Sequence, residues 1–485
     1  MLVMDDDYDW VDREDVRALI DRLKSPAGLE AFERQVHNAN NCARPVRLAG
    51  EVKTYDAETG ERLSAFSSTD LPDGVLLKAC GNRRATRCKP CSTVYREDAR
   101  HLVSAGLVGG KGVPESVAGR LCVFTTITGP SFGAVHSVGK GAPRACRPGP
   151  PQHRCPHGRP LACFVRHEKG DPLVGAALCE ECYRYSEHII WNALASELWR
   201  RTTIYLSRSL AKLAGVTKAE LDKVAKIETV RVSEFQERGV VHFHAIVRAD
   251  GAEGQGSTPP EWLSGELLGL AVRQAVRAVS VPFPVKLGGR IAPLARWGEM
   301  LDISVISDSE GSRRASRYAT KYLVKGTDSG GVLDRPVRYG DIEMLADRGL
   351  SAHQCRLVET AWRLGGRPEL ATLRLRHWAH QLGYRGFCLG RSRGYSTTLG
   401  ALRRARVTHA SSKCGAVNAD APVIRRAEWQ WSGTGYLTRG DGILARQWAE
   451  QAVENRLAYW MDHDEHMAEM ERLGWPDDND CWAIA

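Results

Sequence analysis

Two segments carry side chains whose types and spacing could do chemistry. In residues 230–250, VRVSEFQERGVVHFHAIVRAD, His242 and His244 stand two apart. In a strand, side chains i and i+2 share a face, so both imidazoles point one way while Val241, Phe243 and Ala245 point into a core. Two imidazoles on one strand face can hold a divalent cation. If Glu237-Arg238-Gly239 forms a three-residue hairpin loop, Gly239 takes the left-handed position such loops need. That register sets Glu234 opposite His242, as a third ligand. Gln236 is the alternative if the turn is built differently. A His-x-His pair alone is as often a surface feature.

The second segment is 311–326, GSRRASRYATKYLVKG. On a helix, Tyr318, Lys321, Tyr322 and Lys325 fall at i, i+3, i+4 and i+7 and make one stripe. Two phenols and two ammonium groups suit attack on a phosphodiester. A phenol titrating near 10 is a poor nucleophile. A neighbouring cation lowers that value, and a metal ion can draw charge from the phosphate under attack. The alternative is a half-exposed helix with packed tyrosines and solvated lysines.

The chain has 14 cysteines. The N-terminus, MLVMDDDYDW, has neither the basic nor the apolar region of a secretion signal, so a cytoplasmic, reducing location is expected. Clustered thiols there more often bind metal. Cys80, Cys88 and Cys91 lie in CGNRRATRCKPC, and Cys179 and Cys182 in LCEECY. Between them come Cys146, Cys155, His157, Cys163 and His167, more ligands than one ion needs. A zinc ribbon grips its tetrahedral ion with thiolates at the C-x-x-C spacing. One or two structural Zn²⁺ ions are expected on Cys80, Cys88, Cys91, Cys155, His157, Cys163, Cys179 and Cys182. The alternative is a set of reduced, buried thiols. Cys42, Cys355, Cys388, Cys414 and Cys481 are isolated and read as small hydrophobes.

These groups must be held by a fold. Residues 10–36 have helical periodicity, broken at Ser25-Pro26, and 37–79 read as irregular. A helix is expected over STVYREDARHLVSAGL. LCVFTTIT, residues 121–128, reads as a strand ended by Gly129-Pro130. Residues 141–182 are rich in Pro, Gly, Cys and His, where metal supplies what a small core cannot. A long helix over 185–214, a hairpin over 227–249, a helix over 261–280, a strand near 301–307 and a helix over 311–326 follow. Beyond 330, helical stretches alternate with Gly- and Arg-rich loops, ending in an acidic helix near 442–473.

The 485 residues are 43% hydrophobic and 26% charged, as in an ordinary globular chain of two to four domains, which argues against disorder. No apolar run approaches 18 residues, so no membrane partner is expected. The net charge of +9 hides an asymmetry. Residues 1–35 carry −5, residues 448–485 carry −8, and the body between them carries +22. A basic body between acidic ends suggests a polyanion, most simply nucleic acid.

The strand LCVFTTIT, then His-hydrophobe-His, then Tyr-x-x-Lys-Tyr-x-x-Lys is the motif order of HUH endonucleases. More narrowly, the chain resembles the replication initiators of actinobacterial rolling-circle plasmids and integrative conjugative elements. FTTITGPSFGAVH, ERGVVHFHAIVR and RYATKYLVKG are similar to that family's first, metal-binding and nucleophile motifs. The Cys pattern and GYRGFCLGRSRGYSTTLGALR fit as well, so the resemblance runs from about residue 80 to about 440. Thr125 departs from it, standing where leucine is more usual.

The resemblance implies an α+β fold: a central antiparallel sheet, flanked by helices, with a Cys-rich zinc-binding lobe and a mainly helical C-terminal region. The regions expected are an acidic N-terminal part (1–79), the first motif strand with the zinc lobe (80–185), the endonuclease core (186–330) and a basic DNA-binding part with an acidic last helix (331–485). The implied reaction nicks and rejoins single-stranded or hairpin origin DNA. Mg²⁺ or Mn²⁺ on His242, His244 and Glu234 would polarise the phosphate, and Tyr318 or Tyr322 would attack it. Lys321 would lower a phenol's pKa or steady the phosphate charge, and Lys325 would do so or bind backbone phosphate. Host polymerase and helicase are candidate partners. The competing readings are a two-tyrosine HUH transposase and a non-catalytic zinc-ribbon DNA-binding regulator. A conjugative relaxase fits less well, because relaxases usually carry the tyrosine upstream of the histidines.

Overall fold

A computed structural model of the chain describes residues 13–138, 145–150, 152–168, 170–287, 293–306, 308–316, 319, 333–413 and 422–455. The chain divides into two compact units, residues 1–95 with 408–485, and residues 96–407. The divisions fall at 95 and 407.

The first unit opens with α1 (Arg13–Leu23) and α2 (Pro26–Asn38). Ser25 caps α2 by accepting from Gly28 N, and Pro26 fits the first turn because no backbone donor is needed there. Residues 37–79, expected to be irregular, instead hold three strands: β1 (Val46–Asp56), β2 (Arg62–Ser67) and β3 (Leu76–Lys78). The strand Val423–Thr434 pairs antiparallel with β1 along its whole length. The C-terminal region is therefore not purely helical. Neither strand could be read locally, because VRLAGEVKTYD and VIRRAEWQWSGT lack clean apolar alternation and are completed by partners nearly 400 residues away. A helix over 439–455 follows.

Helix α3 (Lys89–Val108) crosses the division at 95. The second unit is built on β4 (Cys122–Ile127), α4 (Tyr185–Leu213), α5 (Lys218–Val224), β5 (Ala225–Phe235), β6 (Val241–Gly251), α6 (Gly265–Ala278), β7 (Val281–Pro282), β8 (Leu294–Ala295), β9 (Leu301–Ile306) and β10 (Leu389–Arg391). Five strands form one antiparallel sheet in the order β10-β5-β6-β4-β9, and β7 pairs with β8. Residues 309–316 are helical, as are Ala352–Leu364 and Leu399–Lys413. The unit is α+β, with helices against the sheet, as expected. None of the described helices is long and apolar enough to cross a membrane.

The period of two along β6 sorts its side chains between two cores. Val241, Phe243, Val247 and Ala249 join Ile189, Ile190, Trp191 and Leu198 of α4 and Leu268, Val272 and Ala275 of α6. Each large apolar side chain buried there contributes about 1.5–3 kcal/mol. On the opposite face, Ile246, Val230 and Val232 pack with Ala99, Val103 and Leu107 of α3, with Tyr395, and with Ala315 and Ala319. Between β4 and α4 the described residues form neither helix nor strand, only isolated bridges such as Val135 with Ala177 and Arg147 with Cys163.

Candidate active site and metal centres

The hairpin of β5 and β6 has the register expected. Glu234 stands opposite His242, and Val232 opposite His244. The turn closes with Gln236 N donating to Val240 O at 2.9 Å and Gly239 N donating to Gln236 O at 2.7 Å. Gly239 has φ +81°, and a Cβ there would crowd Leu357 and Leu382, so only glycine makes this turn without strain. Gln236 Oε1 accepts from Arg238 Nε at 2.9 Å. Arg238 also donates to the carbonyls of Pro130 and Gly129, at 2.8 and 3.1 Å, which ties the turn to the chain leaving β4. From α4, His188 Nε2 and Asn192 Nδ2 both meet Gly239 O at 2.9 Å.

Glu234, His242 and His244 each bring a ligand atom into one group, all within 4.8 Å of one another. Glu234 Oε2 lies 3.4 Å from His242 Nε2 and 3.7 Å from His244 Nε2. On neighbouring β4, Thr126 stands opposite His244, with Oγ1 3.1 Å from Nδ1. That contact fixes the ring so that Nε2 faces the carboxylate, the outer-shell arrangement that orients metal-ligating imidazoles. Burial alone would raise the Glu234 carboxyl, but hydrogen bonds with His242 and His244 outweigh it and lower it to about 2. A permanently charged carboxylate beside two imidazoles is a donor set that fits a divalent first-row or Mg²⁺ ion. Tyr318, Lys321, Tyr322 and Lys325 lie outside the described residues. The neighbouring Ala315 and Ala319 pack with Ile246 and Val232, on the sheet face that carries both histidines.

Among the described residues, nine cysteines and three histidines form three further groups, not the one or two sites expected. Cys42, Cys80, Cys88 and Cys91 form the first. Cys42 follows two left-handed residues, Asn40 and Asn41, at the end of α2, and Cys88 and Cys91 lie at the start of α3. Cys42 is thus a member of this group and not an isolated hydrophobe. Cys42 Sγ and Cys88 Sγ are 3.8 Å apart, and the backbone N–H groups of Cys80 and Ala43 donate to Cys42 Sγ and Cys88 Sγ at 3.2 and 3.4 Å. The Cys80 thiol is held below the usual thiol range, chiefly by its hydrogen bond with Cys42.

Cys155, His157, Cys179 and Cys182 form the second group. His136, Cys146, Cys163 and His167 form the third. Cys163, expected beside Cys155 and His157, belongs instead with Cys146 and the two histidines. The first C-x-x-C pair and the second fall in different groups. The spacing rule found each knuckle but not which knuckles meet. Four members of these groups lie outside the expected zinc set: Cys146 and His167, noted only as surplus donors, and Cys42 and His136, for which no metal role was expected. The signal for Cys42 was arithmetic: Cys80, Cys88 and Cys91 supply three thiolates to an ion that takes four.

A family model described as the replication initiator protein of pSAM2, RepSA, matches residues 28–450. A replication initiator protein of Streptomyces ambofaciens is 36% identical over 462 residues, covering 90% of this chain and 95% of that protein. No solved structure matches. The family match includes β5, β6 and all three cysteine groups. The chain belongs to the RepSA family of replication initiator proteins.

Proposed function

We propose that the protein starts rolling-circle replication by nicking one strand of origin DNA with a tyrosine and a divalent metal ion. The observation that carries this is the convergence of Glu234, His242 and His244 on the sheet face where Ala315 and Ala319 pack. The segment bearing those alanines also bears Tyr318 and Tyr322. A bound Mg²⁺ or Mn²⁺ supplies Lewis acidity at the scissile phosphate. Glu234, His242 and His244 would hold the ion, with Glu234 supplying negative charge and Thr126 steadying the His244 ring through Nδ1. The Oη of one tyrosine bonds to phosphorus as the bond from phosphorus to the 3′ oxygen breaks. The phenol gives up its proton and the departing oxygen gains one. The tyrosine stays on the 5′ phosphate, and the freed 3′ hydroxyl primes the host polymerase. Lys321 lowers the phenol pKa or neutralises phosphate charge, and Lys325 does so or binds backbone phosphate. After one round the second tyrosine cuts the regenerated site, and the new 3′ end resolves the first junction.

The family and the Streptomyces relative both favour an initiator over a transposase. A non-catalytic regulator has no use for a carboxylate converging on two imidazoles.

The test incubates the protein with Mn²⁺ and a labelled single-stranded origin oligonucleotide and resolves the products on a denaturing gel. A covalent protein–DNA band is expected. It should vanish in Tyr318→Phe/Tyr322→Phe and fall at least 100-fold in His242→Ala/His244→Ala, the scale on which losing such electrostatic help is felt. A band of undiminished strength in the double Phe variant refutes the nucleophile assignment. No band on any cognate strand refutes the enzyme.

A further inference from the structure

We propose that residues 129–184 fold around two zinc ions whose ligand pairs cross, and that a third zinc sits on Cys42, Cys80, Cys88 and Cys91. The crossing follows from chain order. His136 and Cys146 belong to one group, Cys155 and His157 to the other, Cys163 and His167 to the first again, and Cys179 and Cys182 to the second. Each ion therefore closes a loop that contains half of the other ion's ligands.

The donor sets are those of structural zinc: four thiolates, three thiolates with one imidazole, and two of each. In each group the ligand atoms lie within 4.8 Å of one another, a span that fits one ion and is too tight for a polynuclear cluster. The 3.8 Å between Cys42 Sγ and Cys88 Sγ is the edge of a tetrahedron with arms of about 2.3 Å, the Zn–S length, and nearly twice a disulfide bond. In the His136 group, His136 Nδ1 and His167 Nε2 are 3.1 Å apart, and Cys163 Sγ is 3.6 Å from His167 Nε2. Asp171 Oδ2 takes the other nitrogen of His167 at 2.7 Å, and Ser137 N donates to Cys146 Sγ at 3.2 Å. A carboxylate behind a ligand histidine is the support that metal-bound imidazoles characteristically have.

Phe132 and Tyr183 anchor the two ends of the lobe in the sheet core, with Val135 and Ala177 packed beside them, but its middle has little apolar interior of its own among the described residues. Among the described residues from 134 to 182, the buried ones are Cys146, Cys155, Cys163, His167, Gly175 and Cys179. Phe164, Val165 and Leu173 are at least half exposed, and Leu161, Val174 and Leu178 are partly so. The interior of this middle part is its ligands, so binding the ions and folding are one event.

The test measures zinc per chain by elemental mass spectrometry on the full-length protein, purified reduced with no metal added. It is done in a His242→Ala/His244→Ala background, so that the Glu234 group adds none. Three zinc ions are expected; one or none, or iron in their place, overturns the proposal. Pairing is read from alkylation rates at each cysteine by peptide mass mapping. In Cys163→Ser, crossed sites expect Cys146 to react faster than Cys155. In Cys182→Ser, they expect Cys155 to react faster than Cys146. If Cys146 reacts no faster than Cys155 in Cys163→Ser, the crossing is wrong.

Discussion

His188 shows how one buried side chain serves a site it does not join. It is fully buried, stacks on Phe132 at 5.0 Å, and its Nε2 meets Gly239 O. A carbonyl only accepts, so Nε2 carries the proton, and Nδ1 accepts from Tyr183 Oη at 3.1 Å. Burial lowers its pKa to about 3, with nearby His353 and Arg238 adding to the effect. The unfolded chain binds a proton near pH 6.5 that the folded chain refuses until about 3. Stability from this group is therefore complete above pH 6.5 and is lost as pH falls toward 3. His188→Gln, which keeps a donor for Gly239, should lose about 2 kcal/mol less than wild type between pH 7 and pH 4.5 in urea unfolding. Equal losses would show that His188 does not titrate in this way. At this scale the hairpin chemistry was legible, because the period of two and a loop glycine fix which residues face which. His136 was not, because a lone histidine ten residues before Cys146 carries no spacing rule, and only the folded lobe brings it to Cys163 and His167.

The strands and helices that hold the site differ in how far their partners lie along the chain, and that decided which could be read. β4, β5, β6, α4 and α6 have strong local periodicity and were expected where they occur. β1 and the strand Val423–Thr434 define each other across the chain and could not be found singly. Arg248 and Asp250 show the same limit inside a correctly read strand. Alternation puts them on the histidine face of β6, where polar side chains would be expected to meet water. Instead both are fully buried, and Arg248 Nη2 donates to Asp250 Oδ2 at 2.7 Å. The guanidinium also donates to the carbonyls of Gly106, Tyr395 and Gly394, from segments about 145 residues away on either side. The pair thus ties α3 and the loop after β10 to the strand bearing His242 and His244. Removing one partner leaves an uncompensated buried charge, so Asp250→Asn should cost about 3–5 kcal/mol in urea unfolding. The double change Arg248→Met/Asp250→Leu should cost less than the two single changes added together. Strict additivity would mean that the two side chains do not act as a pair.

For the whole molecule, the net charge is a poor guide to how the protein meets DNA, because charge of opposite sign is segregated along the sequence. The +22 body carries nearly all of the family match, the proposed catalytic groups and the candidate metal groups, while the −8 end lies at 448–485. An acidic segment tethered to a basic body competes with phosphate for the same cations, and the competition weakens as salt screens both. Deleting residues 456–485 takes the net charge from +9 to +15. If the body binds single-stranded origin DNA, that deletion should tighten non-specific binding roughly tenfold at 50 mM salt, because added cations bind phosphate by releasing counterions. The gain should shrink steadily and be nearly gone by about 500 mM salt, where the screening length falls to a few ångströms. Fluorescence anisotropy with a scrambled oligonucleotide across that salt range checks it. An unchanged low-salt affinity would show that the acidic end faces some other surface. A gain that persisted at high salt would point to an occluding contact and not to charge.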